Sequence, residues 1–224
     1  MKQFVFFDLD GTVLDTLEDL CDSVNTALTK FGFGEITLEE TAANLGNGAK
    51  HLIEASAHSR LSDEKIAEIL DFYKPYYEAH CQIKTAPYAG TLELMDELKK
   101  HNIKMAIVSN KPAGATAQLA EKWFEGRLDY AQGESPETRR KPAPDMLFAA
   151  MKALGAGLED SVYVGDTEVD IETAANAGMD VIAVSWGFRS RESLEKTIEN
   201  TDVSKIYCRI ADNREELLGC ILSM

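Results

Sequence analysis

The sequence has no surplus of positive charge: 23 lysines and arginines stand against 38 aspartates and glutamates, a formal net charge of −15 over 224 residues. So acidic a surface repels polyanions, and nucleic acid or an anionic membrane would need a strong basic patch to overcome it. The one dense basic run, Arg139-Arg140-Lys141, is too short for a nucleic-acid groove but sufficient for one small phosphate. Cysteine is sparse as well. Cys21, Cys81, Cys208 and Cys220 lie far apart, with no CxxC pair and no nearby histidine spacing. This argues against a zinc site or a disulfide framework and suits reduced thiols in a cytoplasmic protein. His51, His58, His80 and His101 share no ligand spacing. Long apolar runs are missing too: Asp8 and Asp10 interrupt the first before it could act as a secretory leader, and none approaches membrane-spanning length. With only 6 prolines and 15 glycines, no long disordered stretch is expected.

What is present is a series of short apolar runs, each stopping at a polar residue. Residues 4–7 precede Asp8, 105–108 precede Ser109, 162–165 precede Asp166 and 181–184 precede Ser185. Such runs read as buried strands of a parallel sheet. A weaker run at 128–132 and a final one at 205–210 extend the set. Helical segments fall between them: residues 91–100, the stretch after Pro112, residues 145–154 behind Pro144, and 171–177 closed by Gly178. From residue 86 onward strand and helix alternate, the pattern of an α/β doubly wound parallel sheet of the Rossmann type. Residues 16–85 break it with helical periodicity alone: Thr37 and Glu40 form a capping-box pattern, Ser62 precedes a helix, and Pro75 is expected to kink or end it. The expected division is therefore an α/β core of residues 1–15 and 86–224 with a helical unit of 16–85 inserted.

In open parallel sheets, ligands bind beyond the carboxyl ends of the strands. Asp8, Ser109 and Asp166 each occupy such an end, Asp10 follows Asp8, and Asp170 falls on the first turn of the helix after Asp166. Carboxylates gathered closely raise one another's pKa unless a cation joins them. Oxygen donors without histidine or cysteine favour Mg²⁺, usually shared with a substrate phosphate. Phosphate monoesters are among the slowest compounds to hydrolyse, so nucleophile, proton donor and charge neutralisation must all be supplied. Asp8 can attack phosphorus, Asp10 can protonate the leaving oxygen, Ser109 can donate to a phosphoryl oxygen, and Lys141 can offset its charge.

Asp8-Leu9-Asp10-Gly11-Thr12, Ser109-Asn110-Lys111, Lys141-Pro142-Ala143-Pro144 and Gly165-Asp166-Thr167-Glu168-Val169-Asp170 stand in order along nearly the whole chain. Together they resemble the four motifs of the haloacid dehalogenase-like (HAD) phosphatases. The resemblance implies an aspartyl-phosphate intermediate on Asp8. It also implies a magnesium held by the carboxylates of Asp8 and Asp166 and the backbone carbonyl of Asp10, with Asp170 bonded directly or through water. The helical insert is similar to the small cap of that family, which implies a small phosphorylated metabolite as substrate. Asn44-Leu45-Gly46-Asn47-Gly48, Ser109-Asn110-Lys111 and Ser185-Trp186-Gly187-Phe188-Arg189 look most like phosphoglycolate phosphatases. By that likeness Gly46, Asn47, Gly48 and Asn110 are candidate substrate contacts, whereas Trp186 and Phe188 read as residues packing under a loop.

Taken singly, several of these residues have ordinary uses. Serine caps helices, Gly46-Asn47-Gly48 can simply stop one, and an acid in a first turn suits the helix dipole. A phosphosugar mutase shares the core motifs, and only its product would distinguish it. A dehalogenase has no use for the proton donor Asp10. A non-hydrolytic phosphoaspartate signalling module has no use for Asp10 or the insert.

Overall fold

The computed structural model describes all 224 residues, Met1–Met224. The chain begins with β1 (Phe4–Phe7) and β2 (Leu14–Asp15), followed by four helices: α1 (Leu17–Lys30), α2 (Leu38–Asn44), α3 (Gly48–Ser56) and α4 (Asp63–His80). It continues through β3 (Ala86–Pro87), α5 (Thr91–Lys100), β4 (Lys104–Pro112), α6 (Ala113–Phe124), β5 (Tyr130–Glu134) and α7 (Asp145–Leu154). The last third comprises β6 (Ser161–Gly165), α8 (Glu168–Ala177), β7 (Asp180–Val184), α9 (Arg191–Asn200), β8 (Cys208–Ala211) and α10 (Arg214–Ser223).

Six strands form one parallel sheet in the order β5-β4-β1-β6-β7-β8. This is the α/β doubly wound fold read from the apolar runs. Each central strand divides its side chains between two buried faces. Val5, Phe7, Met105, Ile107, Val162 and Val164 enter one apolar cluster, while Phe6, Ala106, Val108 and Tyr163 enter the other. Covering both faces is why these strands read as unbroken apolar runs instead of alternating ones. The first cluster continues into the helices of the insert through Val24, Leu28, Ile53 and Tyr73.

The two chain crossings between insert and sheet are tied together. β2 pairs antiparallel with β3, and the buried Asp19 carboxylate accepts from the backbone N–H of Lys84 and Thr85 and from the Thr85 hydroxyl at 2.8–3.0 Å. Thr37 and Glu40 close the capping box that starts α2, and Ser62 caps α4.

Three local expectations shift. Helix α4 does not end at Pro75 but runs on to His80. Pro75 and Asp71, whose carbonyl loses its partner, are both exposed, so water can satisfy that carbonyl. The stacked pairs Phe72–Tyr76 and Tyr73–Tyr77 span the point where a kink or an end was expected. Strand β4 extends past Val108 to Pro112, because β5 pairs with it again at Glu134 after a register shift. β5 and β8 begin two or three residues later than their apolar runs suggested, at Tyr130 and Cys208, each just after a residue, Asp129 or Tyr207, that already makes a backbone bond to the neighbouring strand.

Candidate active site

The sheet order reverses direction around β1: the chain moves out through β4 to β5, then returns to β6 on the other side. That switch opens a crevice at the carboxyl ends of β1, β4 and β6. Asp8 leaves β1 and anchors its N–H on the Val164 carbonyl of β6 at 2.8 Å; Asp166 leaves β6; Ser109 lies near the end of β4. The carboxylates of Asp8, Asp166 and Asp170 come together, one oxygen of each within 4.8 Å of the others, and all three residues are buried.

Each acid is held differently. Asp166 Oδ1 accepts from the Thr12 hydroxyl at 2.9 Å and Oδ2 from the Phe188 N–H at 2.7 Å. The fit around it is close because two glycines flank it. A methyl on Gly11, whose φ is +80°, or on Gly187 would sit 2.2 or 2.3 Å from Asp166 Oδ2. Neither position has room for another residue. Asp170 Oδ2 accepts from the N–H of Asp166 and of Thr167 and from the Thr167 hydroxyl, and Oδ1 from Lys141 Nζ at 2.8 Å; the single Tyr163 hydroxyl proton, with Oδ1 at 3.3 Å, goes to the nearer Val108 carbonyl at 3.0 Å. Four donors thus occupy its two oxygens, and Asp170 also closes the first turn of α8. Asp8 Oδ1 has the opposite character. Lys141 Nζ approaches to 2.9 Å, but out of hydrogen-bond alignment, and that buried oxygen has no hydrogen-bonded partner.

The charges do not balance. Burial, only partly offset by Lys141, and the negative charges of Asp170 and Asp10 push the Asp8 carboxyl up to about 7. Burial followed by the charges of Asp170 and Asp8 holds Asp166 well above the usual carboxylate range, against the pull of the Phe188 and Thr12 donors. Burial alone would discharge Lys141, but Asp170 and Asp8 outweigh it and keep the ammonium protonated. Three buried carboxylates face one buried ammonium, a deficit of two positive charges. A divalent cation with a preference for oxygen fits that deficit and the all-oxygen donor set.

The remaining candidates fall around one cavity of about 40 Å³, lined by Asp8, Asp10, Ser109, Asn110, Gly46 and Gly48 among others. Asn47 is not part of its wall. Ser109 Oγ accepts from the Lys111 N–H at 3.3 Å, which leaves its proton free to donate. The Asn110 amide is already engaged: Nδ2 donates to Gly46 O and Lys141 O, and Oδ1 accepts from Lys141 N. It ties the loop between α2 and α3 to the segment carrying Lys141.

Several contributors were not singled out from sequence. Thr12, Thr167 and the Phe188 backbone fix the acids, and Phe188, expected only to pack, also lines the cavity. Lys111 donates to both oxygens of Asp10 at 2.6 and 2.8 Å. Arg189 pairs with Glu168 at 2.7 Å and donates to the Ala42 and Leu45 carbonyls at the end of α2, fastening the insert over the site. Trp186 donates to Thr12 O and stacks beneath Arg214.

Comparison with known proteins agrees with this geometry. The sequence pattern of the family described as haloacid dehalogenase-like hydrolase matches residues 5–184. A phosphoglycolate phosphatase of Pseudomonas syringae pv. syringae is 33% identical over 228 residues, covering 99% of this chain and 80% of the relative. Its counterpart from Pseudomonas syringae pv. tomato is 34% identical over 195 residues, covering 84% of this chain and 71% of the relative. The crystal structure of a candidate phosphoglycolate phosphatase from Lactobacillus delbrueckii subsp. bulgaricus superposes with a TM-score of 0.87 at 37% identity, covering 99% of both chains.

Proposed function

The chain belongs to the haloacid dehalogenase-like hydrolases, and from that membership we propose that it is a magnesium-dependent phosphatase acting on 2-phosphoglycolate. The observation that carries this reading is the buried cluster of Asp8, Asp166 and Asp170 carboxylates with its two-charge deficit, Asp8 standing at the cavity wall. The names of the relatives supply the substrate. Residues 1–15 and 86–224 act as the catalytic core, and the helices of 16–85 as a cap. With no helix long and apolar enough to cross a membrane and four free cysteines, the proposed setting is the cytoplasm.

In the proposed mechanism Asp8 attacks phosphorus, the ester oxygen leaves with a proton from Asp10, and phosphate is held covalently on Asp8. Asp10 then takes a proton from the water that attacks this intermediate. The Ser109 hydroxyl donates to a phosphoryl oxygen, and the Lys141 ammonium faces the charge spread over the equatorial oxygens. The Asp8 and Asp166 carboxylates and the Asp10 carbonyl would hold the magnesium, with Asp170 serving it from behind through its network. Bound magnesium supplies further neutralisation of phosphoryl charge. Asn110, Gly46 and Gly48 position the cap loop at the cavity, and Leu45, Leu52, Tyr73 and Tyr77 exclude water from it.

The test is magnesium-dependent orthophosphate release from a panel of phosphoglycolate, sugar phosphates, pyrophosphate and p-nitrophenyl phosphate. Phosphoglycolate should give the highest kcat/KM. An isomer in place of orthophosphate would instead identify a mutase.

A second outcome concerns the metal alone. Asp8 and Asp166 are acids with raised folded pKa values, so the metal-free protein keeps its full stability only below the ordinary carboxylate pKa. It loses the contribution as pH rises through about 7. Magnesium competes with those protons. Added Mg²⁺ should therefore raise the Tm more at pH 8 than at pH 5.5; an equal or larger rise in acid would contradict a carboxylate metal site.

A further inference from the structure

Lys111 is the one cation among the residues lining the cavity. Its side chain is 1% exposed, and its ammonium sits 4.6 Å from the centre of the Tyr77 ring. Two of its protons serve the Asp10 oxygens, which leaves one donor unassigned. The Tyr77 hydroxyl on the same wall is buried with no hydrogen-bond partner. An unpartnered buried hydroxyl on the same cavity wall as an ammonium with a donor to spare is costly in a protein interior unless a ligand completes it.

Placement adds a length. Ser109 and Lys111 are two residues apart on β4 and line the same cavity, so their side chains leave the backbone roughly 7 Å apart. Lys141 and the acid cluster receive the phosphoryl end, near Ser109. A group reaching Lys111 from there is separated from phosphorus by only a carbon or two. The same cavity is also lined by the apolar side chains of Leu20, Leu45 and Leu52. A neutral tail would find no partner for Lys111; an anionic one would.

We propose that Lys111, on the same cavity wall as the Tyr77 hydroxyl, is the specificity-determining residue that binds a carboxylate carried by the substrate next to its phosphate ester. This deepens the phosphoglycolate reading and rests on it. It assigns to Lys111 a role distinct from holding Asp10, since an effect through Asp10 would touch every substrate alike.

The experiment compares 2-phosphoglycolate with ethyl phosphate, which has a methyl group where phosphoglycolate has its carboxylate. Lys111→Met should lower the ratio of their kcat/KM values by about tenfold or more, the low end for a lost charge-assisted hydrogen bond. The fall should appear chiefly in the KM for phosphoglycolate. Lys111→Gln keeps a donor for Asp10 and should give the same loss, which covers the case in which the methionine variant folds poorly. Lys111→Arg should retain most of the ratio. Wild-type turnover of phosphoglycolate with an unchanged ratio in both neutral variants overturns the assignment alone. A wild-type protein that releases no phosphate from phosphoglycolate overturns the substrate reading and this assignment together.

Discussion

Asp8→Asn should abolish orthophosphate release, a fall on the order of 10⁴–10⁶-fold as when other covalent enzymes lose their nucleophile, while leaving the fold at least as stable. The two effects separate because Asp8 sits where its charge is unwelcome. Its carboxyl is pushed up to about 7, first by burial and then by Asp170 and Asp10, with Lys141 pulling only part of the way back. A raised acid weakens the folded state at every pH above the ordinary carboxylate value, and asparagine of the same shape removes that cost. Lys141 keeps Asp170 at 2.8 Å and is not stranded. In metal-free protein at pH 8 the variant should melt at or above the wild-type temperature. Acid-quenched samples incubated with substrate should show covalent phosphate on the wild type and none on the variant. Retained turnover, or a labelled variant, would sink the nucleophile assignment.

The same locality explains what could be read from the sequence. Asp8, Ser109 and Asp166 were legible because each ends an apolar strand, and strand ends converge in a parallel sheet whatever their separation along the chain. The pairs that tune them were not legible. Lys111 meets Asp10 across 101 residues, and Thr12 meets Asp166 across 154, with no local periodicity linking either pair. Gly187 is only one member of the Ser185–Arg189 run until the structure places it against the Asp166 carboxylate. Asn110 was read as a possible substrate contact, yet its amide joins Gly46 to the Lys141 backbone. Motif position shows that a residue belongs to the site but not which partners its side chain has taken. Pro75 marks the same limit in the fold. Proline predicts a kink or an end from local sterics, and which of the two is avoided depends on the exposure of Pro75 and Asp71 on α4.

Lys141→Met tests the charge balance from the other side, and here stability and activity should fall together. The ammonium is fully enclosed, 2.8 Å from Asp170 and 2.9 Å from Asp8, with the Tyr163 hydroxyl at 3.0 Å. Removing one member of such a buried network strands the others, at a cost of about 3–5 kcal/mol. For a chain of this size that corresponds to a Tm lower by roughly 6–20 °C. The loss should depend on pH in a set direction. Without Lys141 the Asp8 carboxyl loses the charge that favours its ionisation, so it holds its proton to higher pH. The deficit is therefore small at pH 5, where protonation relieves it, and largest at pH 8. Added Mg²⁺ should recover part of the Tm, because it neutralises the same acids, but not the rate, because phosphoryl charge still lacks its ammonium. A variant melting like the wild type at pH 8, or one whose turnover Mg²⁺ restores, would show that Lys141 is a bystander to the acid cluster.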